Sequence, residues 1–151
     1  MKVTKISQKG LDLIKQFEGL KLKPYLCPAR IPTIGYGNTY YNDGKKVKLT
    51  DPSITQAKAD ELLKFLIQSY EKDVDSFCRD DISQHQFDAL ASFAYNCGPR
   101  NLKSSTLLKK VNLNPQDVTI RNEFMKWNKG AGKVLAGLTK RRQAEADLYF
   151  S

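Results

Sequence analysis

A chain of 151 residues has the size of one compact domain that can bury most of its apolar surface without cross-links, which excludes the small cysteine-stapled scaffolds. Its 25 Lys plus Arg against 16 Asp plus Glu give a formal charge of +9, so the expected partner is anionic: nucleic acid, an acidic membrane surface or an acidic wall polymer. No window approaches the ~18 apolar residues of a membrane span, the opening residues lack the apolar stretch of a signal peptide, and Cys27, Cys78 and Cys97 are odd in number and have no metal-ligand spacing, so the reading is a product made soluble in the cytoplasm, with free thiols, no metal and no cofactor.

In chain order, Leu13, Ile14 and Phe17 share one face at helical spacing, with Ser7 as a cap and Gly19 as a stop, which predicts a first helix from about Gln8 to Glu18. From Leu20 to Leu49, Pro24, Pro28 and Pro32, the Gly35/Gly37 pair and the Asn42-Asp43-Gly44 turn predict short strands or hairpins, the only sheet expected. Beyond Asp51-Pro52, Ala59, Leu62, Leu63, Leu66, Ile67, Tyr70, Val74 and Phe77 mark a long amphipathic helix over about 55–77 that joins two lobes. Ser83 and Gln86 form a capping box for a helix burying Phe87, Leu90, Ala91 and Ala94 and ending near Gly98-Pro99, with Asn96 at its end.

Two more helices are expected, one around Ser105 to Val111 and one opened by Asn114-Pro115 that continues through Ile120, Phe124 and Trp127. A glycine loop, Gly130-Ala131-Gly132, then precedes a basic last helix from about Leu138 to Phe150. The fold class is α+β and mostly helical. One domain, 1–151, is divided into a small β-containing lobe at about 18–50 and a helical lobe at 83–151.

Glu18, Cys27 and Thr33 fall in one turn-rich stretch that continues into Ile34-Gly35-Tyr36-Gly37-Asn38-Thr39. Glycosidic bonds usually break between two carboxylates, one protonating the leaving oxygen and the other activating water or attacking the anomeric carbon. Here Glu18 is the natural acid, and Cys27 stands where a second carboxylate is expected. A thiolate can take a proton from water, its pKa lowered by a cation such as Arg30, while the Thr33 hydroxyl holds that water. The bland alternative is a solvated Glu after a helix and a small Cys packed in a hairpin.

The stretch from Glu18 to Thr39 resembles the catalytic signature of the phage-type lysozymes, the endolysins of glycoside hydrolase family 24. Gln86-Phe-Asp-Ala-Leu90, Phe93-Ala-Tyr-Asn-Cys-Gly98, Ser104-Ser-Thr-Leu-Leu108, Trp127-Asn-Lys-Gly-Ala-Gly-Lys-Val-Leu135 and Gly137-Leu-Thr-Lys-Arg-Arg-Gln-Ala-Glu145 carry the likeness over nearly the whole chain. It implies a two-lobe lysozyme-like fold around a cleft and hydrolysis of the β-1,4 bond between N-acetylmuramic acid and N-acetylglucosamine in peptidoglycan. Glu18 matches the proton donor, and Cys27 the second catalytic position, Asp in most members and Cys in a subset. Thr33 matches the residue that positions water. Tyr36, Thr39, Asn96 and Arg141 fall at substrate-facing positions, with Arg142 competing with Arg141 as partner of Glu18.

Whether Cys27 acts as base or nucleophile stays open. Many members have His where this chain has Asn38, so an ion pair made by that His is missing, which touches stability rather than chemistry. The resemblance further implies a monomer acting on the cell wall, reached with a holin or another export helper, in bacterial lysis.

Other residues have plainer readings. His85, in the first turn of a helix, is a surface residue, Cys78 and Cys97 pack in the core, and Trp127 belongs to an apolar face. A nucleic-acid-binding helical module would suit the charge, but the cations are spread along the chain and no aromatic-basic stacking motif occurs. A wall-binding domain without activity would be favoured by loss of Glu18, which is present.

Overall fold

A computed structural model describes residues 2–151. The architecture is mostly helical with two small antiparallel hairpins, as the periodicity predicts. The chain divides into two compact units. The larger is Tyr70–Ser151 together with the N-terminal segment up to Ile14, and the smaller is Lys15–Ser69. Among the described residues no helix is long and apolar enough to cross a membrane.

In the larger unit, α3 (Gln84–Cys97) is the central element, every residue from Gln86 to Ala94 being buried. Its start is fixed reciprocally: Gln86 N–H donates to Ser83 Oγ, and Ser83 N–H to Gln86 Oε1 at 2.9 Å. The core around it contains Phe87, Leu90, Phe93, Leu102, Leu107, Val111, Ile120 and Phe124. Phe93 meets Phe124 and Trp127 edge-on, with ring centroids 6.0 and 5.4 Å apart. Helix α7 (Ala136–Tyr149) packs on α3.

The N-terminal segment is tied to this unit through Ile6 N–H to Glu71 Oε2 (2.7 Å) and Ser7 N–H to Asp88 Oδ1 (2.9 Å). The Ser7 hydroxyl, expected as the cap of α1 (Gln8–Glu18), donates instead to Asp88. The buried carboxylate is the stronger acceptor.

In the smaller unit, α1 ends where Gly19, at φ +73°, returns its N–H to Lys15 O. Strands β1 (Lys21–Leu26) and β2 (Pro32–Gly35) pair antiparallel with an irregularity between Lys21 and Tyr25, a stretch containing Pro24, which has no N–H to give. Ile34, Val47 and Leu62 form the core, covered by Tyr41 and Ile54. Helix α2 (Gln56–Phe77) starts one residue later than expected because Thr55 caps it, its Oγ1 accepting from Lys58 N–H at 3.1 Å.

The helix expected around 105–111 is α5 (Thr106–Leu113), capped by Ser105, whose hydroxyl accepts from Leu108 N–H; a short helix that was not anticipated, α4 (Pro99–Ser104), precedes it. Two expectations are corrected. Asn114-Pro115 opens no helix: Asn114 Oδ1 accepts from Gln116 N–H and Asp117 Oδ1 from Thr119 N–H, side-chain turns that hold the backbone until α6 (Ile120–Met125) begins. The glycine loop is a second hairpin, β3 (Lys129–Gly130) with β4 (Lys133–Val134), its two-residue turn formed by Ala131 and Gly132 at φ 51° and 79°. The last helix therefore starts at Ala136.

Candidate active site

Glu18, Cys27 and Thr33 all belong to the smaller unit. Glu18 closes α1, and Cys27 follows β1 at the mouth of a four-residue turn whose Arg30 N–H returns to Cys27 O at 2.7 Å. Arg30 reaches this turn in the left-handed region, φ 62°. Thr33 lies opposite Tyr25 in the ladder and is buried. Directly opposed residues share a face, as do residues two apart on a strand. Tyr25, Cys27 and Thr33 therefore sit on one side of the hairpin.

The Cys27 thiol is held below the ordinary thiol range, first by the Ile31 N–H directed at it, then by the Thr33 hydroxyl and the Ala29 N–H, against the opposing effect of burial. The expected helper, the Arg30 cation, is not among the causes, and backbone amides take its place. Thr33 Oγ1 donates to Ile31 O at 2.8 Å, so turning its one proton to the sulfur gives up that bond. Tyr25 is half-buried, and its phenol is pushed up by burial and then by the negative charges of Cys27 and Glu18. The ladder sets Tyr25 directly across from Thr33. This phenol was missed in the sequence because only the cross-strand register puts it there.

The turn after β2 is held by reciprocal Ile34–Asn38 backbone bonds of 2.9 Å, with Gly35 at φ +69° and Gly37 at φ +100°. Asn38 is buried, and its Nδ2 donates to Leu62 O at 3.2 Å, so a neutral amide anchors this turn to α2. Tyr36 is only 4% exposed and lies under Lys15, whose amine is 5.7 Å from the ring centroid and 3.0 Å from Asp60. Thr39 is half-buried, its carbonyl accepting from Val47 N–H.

Asn96 and Arg141 belong to the larger unit. Asn96 is exposed at the end of α3, its Oδ1 accepting from Arg142 Nη2 at 2.6 Å. Arg142 is fully buried, lies over the Phe93 ring, touches Cys97 Sγ and pairs with Glu145 at 2.9 Å. Arg141 is 2% exposed, with Nε 3.3 Å from Glu145 and Nη2 3.3 Å from Ser92 O. Cys97, expected in the core, is only half-buried and borders a 370 Å³ groove with Asn96, Asn101, Trp127 and Lys129. Trp127 thus packs on the core and edges this groove. Among the described residues no group of three or more His, Cys, Asp or Glu is placed to hold a metal.

Residues 15–145 match the phage lysozyme family. An endolysin of Bacillus phage B103 is 46% identical over 97% of this chain and 54% of its own length, and one of Salmonella phage P22 is 38% identical over 97% and 98%. The chain spans about half the length of the Bacillus phage relatives it matches. Among solved structures, an endolysin from Escherichia coli O157:H7 phage FAHEc1 superposes with a TM-score of 0.89 at 37% identity, covering 97% of this chain and 94% of that one. A P22 lysozyme variant superposes at 0.87 with 35% identity, covering 97% and 99%.

Proposed function

This chain belongs to the phage lysozyme family, and on that premise we propose that it is a muramidase, cleaving the β-1,4 bond between N-acetylmuramic acid and N-acetylglucosamine in peptidoglycan. Glu18 protonates the glycosidic oxygen as the bond breaks, and Cys27 as thiolate takes the proton of the incoming water while Thr33 holds that water in line. The observation that carries this reading is the hairpin mouth. There two backbone N–H groups and a hydroxyl favour the charged form of a sulfur on the same face as a phenol that senses Glu18. A thiol so placed is a stronger base candidate than one buried in an apolar core.

Thr39 and Asn96 are proposed to contact the glycan, and Tyr36 and Arg141, substrate-facing by resemblance but buried here, to hold the backbone beside it. The domain acts as a monomer at the cell wall, with a holin or another helper bringing it there, and lysis is its role.

Three variants test the roles. Glu18→Gln abolishes release of fragments from purified sacculi while leaving the circular dichroism spectrum unchanged. Cys27→Asp retains substantial activity, and Cys27→Ala loses it; a fully active Cys27→Ala would remove the thiol from the mechanism. Proton NMR of the first-formed anomer separates the two uses of the sulfur: inversion follows from a base, retention from a covalent adduct.

A further inference from the structure

The smaller unit contains a second concave feature that the catalytic reading leaves unused, a pocket of about 290 Å³ lined by Tyr41, Lys45, Lys46, Lys48 and Asp51. Its floor is rigid. The Tyr41 ring packs against the Ile34–Val47–Leu62 core, and its hydroxyl donates to Asp51 Oδ2 at 2.8 Å. The same oxygen accepts from Lys48 N–H at 2.9 Å, so Asp51 is held as an anion. The rim is set by Tyr41 N–H to Lys45 O (2.9 Å), Gly44 N–H to Tyr41 O (3.0 Å) and the Tyr40–Lys46 bridge.

Three amines here face two carboxylates. Lys2, Lys15, Lys110 and Lys126 each reach a carboxylate oxygen within 3.0 to 3.3 Å, whereas Lys45 stands 4.0 Å from Asp43, Lys48 acts on the lining's Asp51 without a close contact, and Lys46 forms no ion pair among the described residues. The cations exceed the anions around this one cavity, and several point-charge donors suit a phosphate, which needs no planar fork, better than a single carboxylate, for which Arg is the better match. The carboxylate in the floor would repel a second phosphate but accept a hydrogen bond from a hydroxyl. The lining's one aromatic ring has its hydroxyl tied to Asp51 and packs partly against the core.

We propose that this pocket binds a phosphodiester-linked, hydroxyl-bearing polymer, the phosphate seated among Lys45, Lys46 and Lys48 and a neighbouring hydroxyl on Asp51. That such a polymer would be attached to the wall rests on the muramidase reading; the phosphate chemistry does not. The pocket then holds the enzyme on its substrate through a site separate from the cleaved bond.

The test is calorimetric binding of poly(glycerol phosphate) chains, free of peptidoglycan, to the wild type and to Lys45→Gln/Lys46→Gln/Lys48→Gln. A second triple variant, Lys9→Gln/Lys64→Gln/Lys109→Gln, removes the same charge from exposed positions elsewhere. The pocket variant is expected to bind about tenfold more weakly, each exposed cation contributing modestly, while the second triple keeps most of the wild-type affinity. Both should digest polymer-stripped sacculi at the wild-type rate. Equal weakening in the two variants, or no weakening in the pocket variant, would overturn the site. A DNA oligonucleotide of similar length bound as tightly and with the same lysine dependence would overturn the polymer class. If the wild type bound the polymer but left stripped sacculi intact, the muramidase reading would fail and this one would stand.

Discussion

Cys27 gives the site a chemical vulnerability that an aspartate would not have, because a thiolate can be alkylated or oxidised. Its two companions in the chain are protected: burial pushes Cys78 up to about 12 and also raises Cys97, so both stay protonated at neutral pH while Cys27 is held low by the amides of its turn. Iodoacetamide at neutral pH should therefore modify Cys27 first, as read by peptide mass spectrometry, and inactivate the wild type but not Cys27→Asp. Modification that begins at Cys78 or Cys97 would contradict this order. The proposed base role of Cys27 also implies a pH dependence. As a base, Cys27 must be deprotonated, so activity rises with pH through its folded pKa, below the ordinary thiol value; Cys27→Asp should move that rising limb down into the carboxylate range. Glu18, Cys27 and Thr33 stood out in the sequence through the family resemblance of the stretch they share, since their spacing alone equally fits a solvated Glu and a packed Cys. Tyr25 did not, since its place beside them depends on which residue of β2 it faces.

At the level of elements, helix starts and stops were legible wherever a local signal stood alone, as at Ser83/Gln86 and Gly19. They were misread where two signals competed. Asn114, expected to cap a helix, instead forms a side-chain turn to Gln116 N–H, and Asp117 a second one to Thr119 N–H. Two substitutions test the energetic side. Ser83→Ala removes one half of the capping box and should cost about 1 kcal/mol in urea unfolding. Gly10→Ala would ordinarily gain stability within a helix, but a Cβ there would stand 2.8 Å from Asp88 Cβ and 2.5 Å from Ile6 Cγ1, so a loss of roughly 1–3 kcal/mol is expected.

The link between α5 and α6 is electrostatic. Burial pushes the buried Glu123 up, but Lys126 at 3.0 Å and Lys110 at 3.3 Å pull it lower still, so its net shift is downward. A carboxylate with a depressed folded pKa contributes stability that is present above its unfolded pKa and lost as pH falls through the folded one. The stability gap between wild type and Glu123→Gln, measured by urea unfolding, should accordingly close on acidification.

On the scale of the whole molecule, the larger unit carries the densest packing and also its strongest internal electrostatic commitment. Arg141 and Arg142 both meet the fully buried carboxylate of Glu145, with Ser92 donating to the same group at 2.6 Å. Removing the acid strands two guanidinium groups away from water, so Glu145→Ala should destabilise by about 3–5 kcal/mol. A formal charge of +9 has the opposite character, being mostly solvated. On the proposed muramidase reading it would aid capture on an anionic wall, an effect screened by salt. The short β3–β4 hairpin could not be anticipated from the sequence, because two-residue strands carry no alternation to read. The central claim is tested most directly by the reducing ends released from purified sacculi. Muramidase activity predicts new N-acetylmuramic acid reducing ends with the wild type and none with folded Glu18→Gln; new N-acetylglucosamine ends, or cleaved amide bonds with intact glycan, would contradict it.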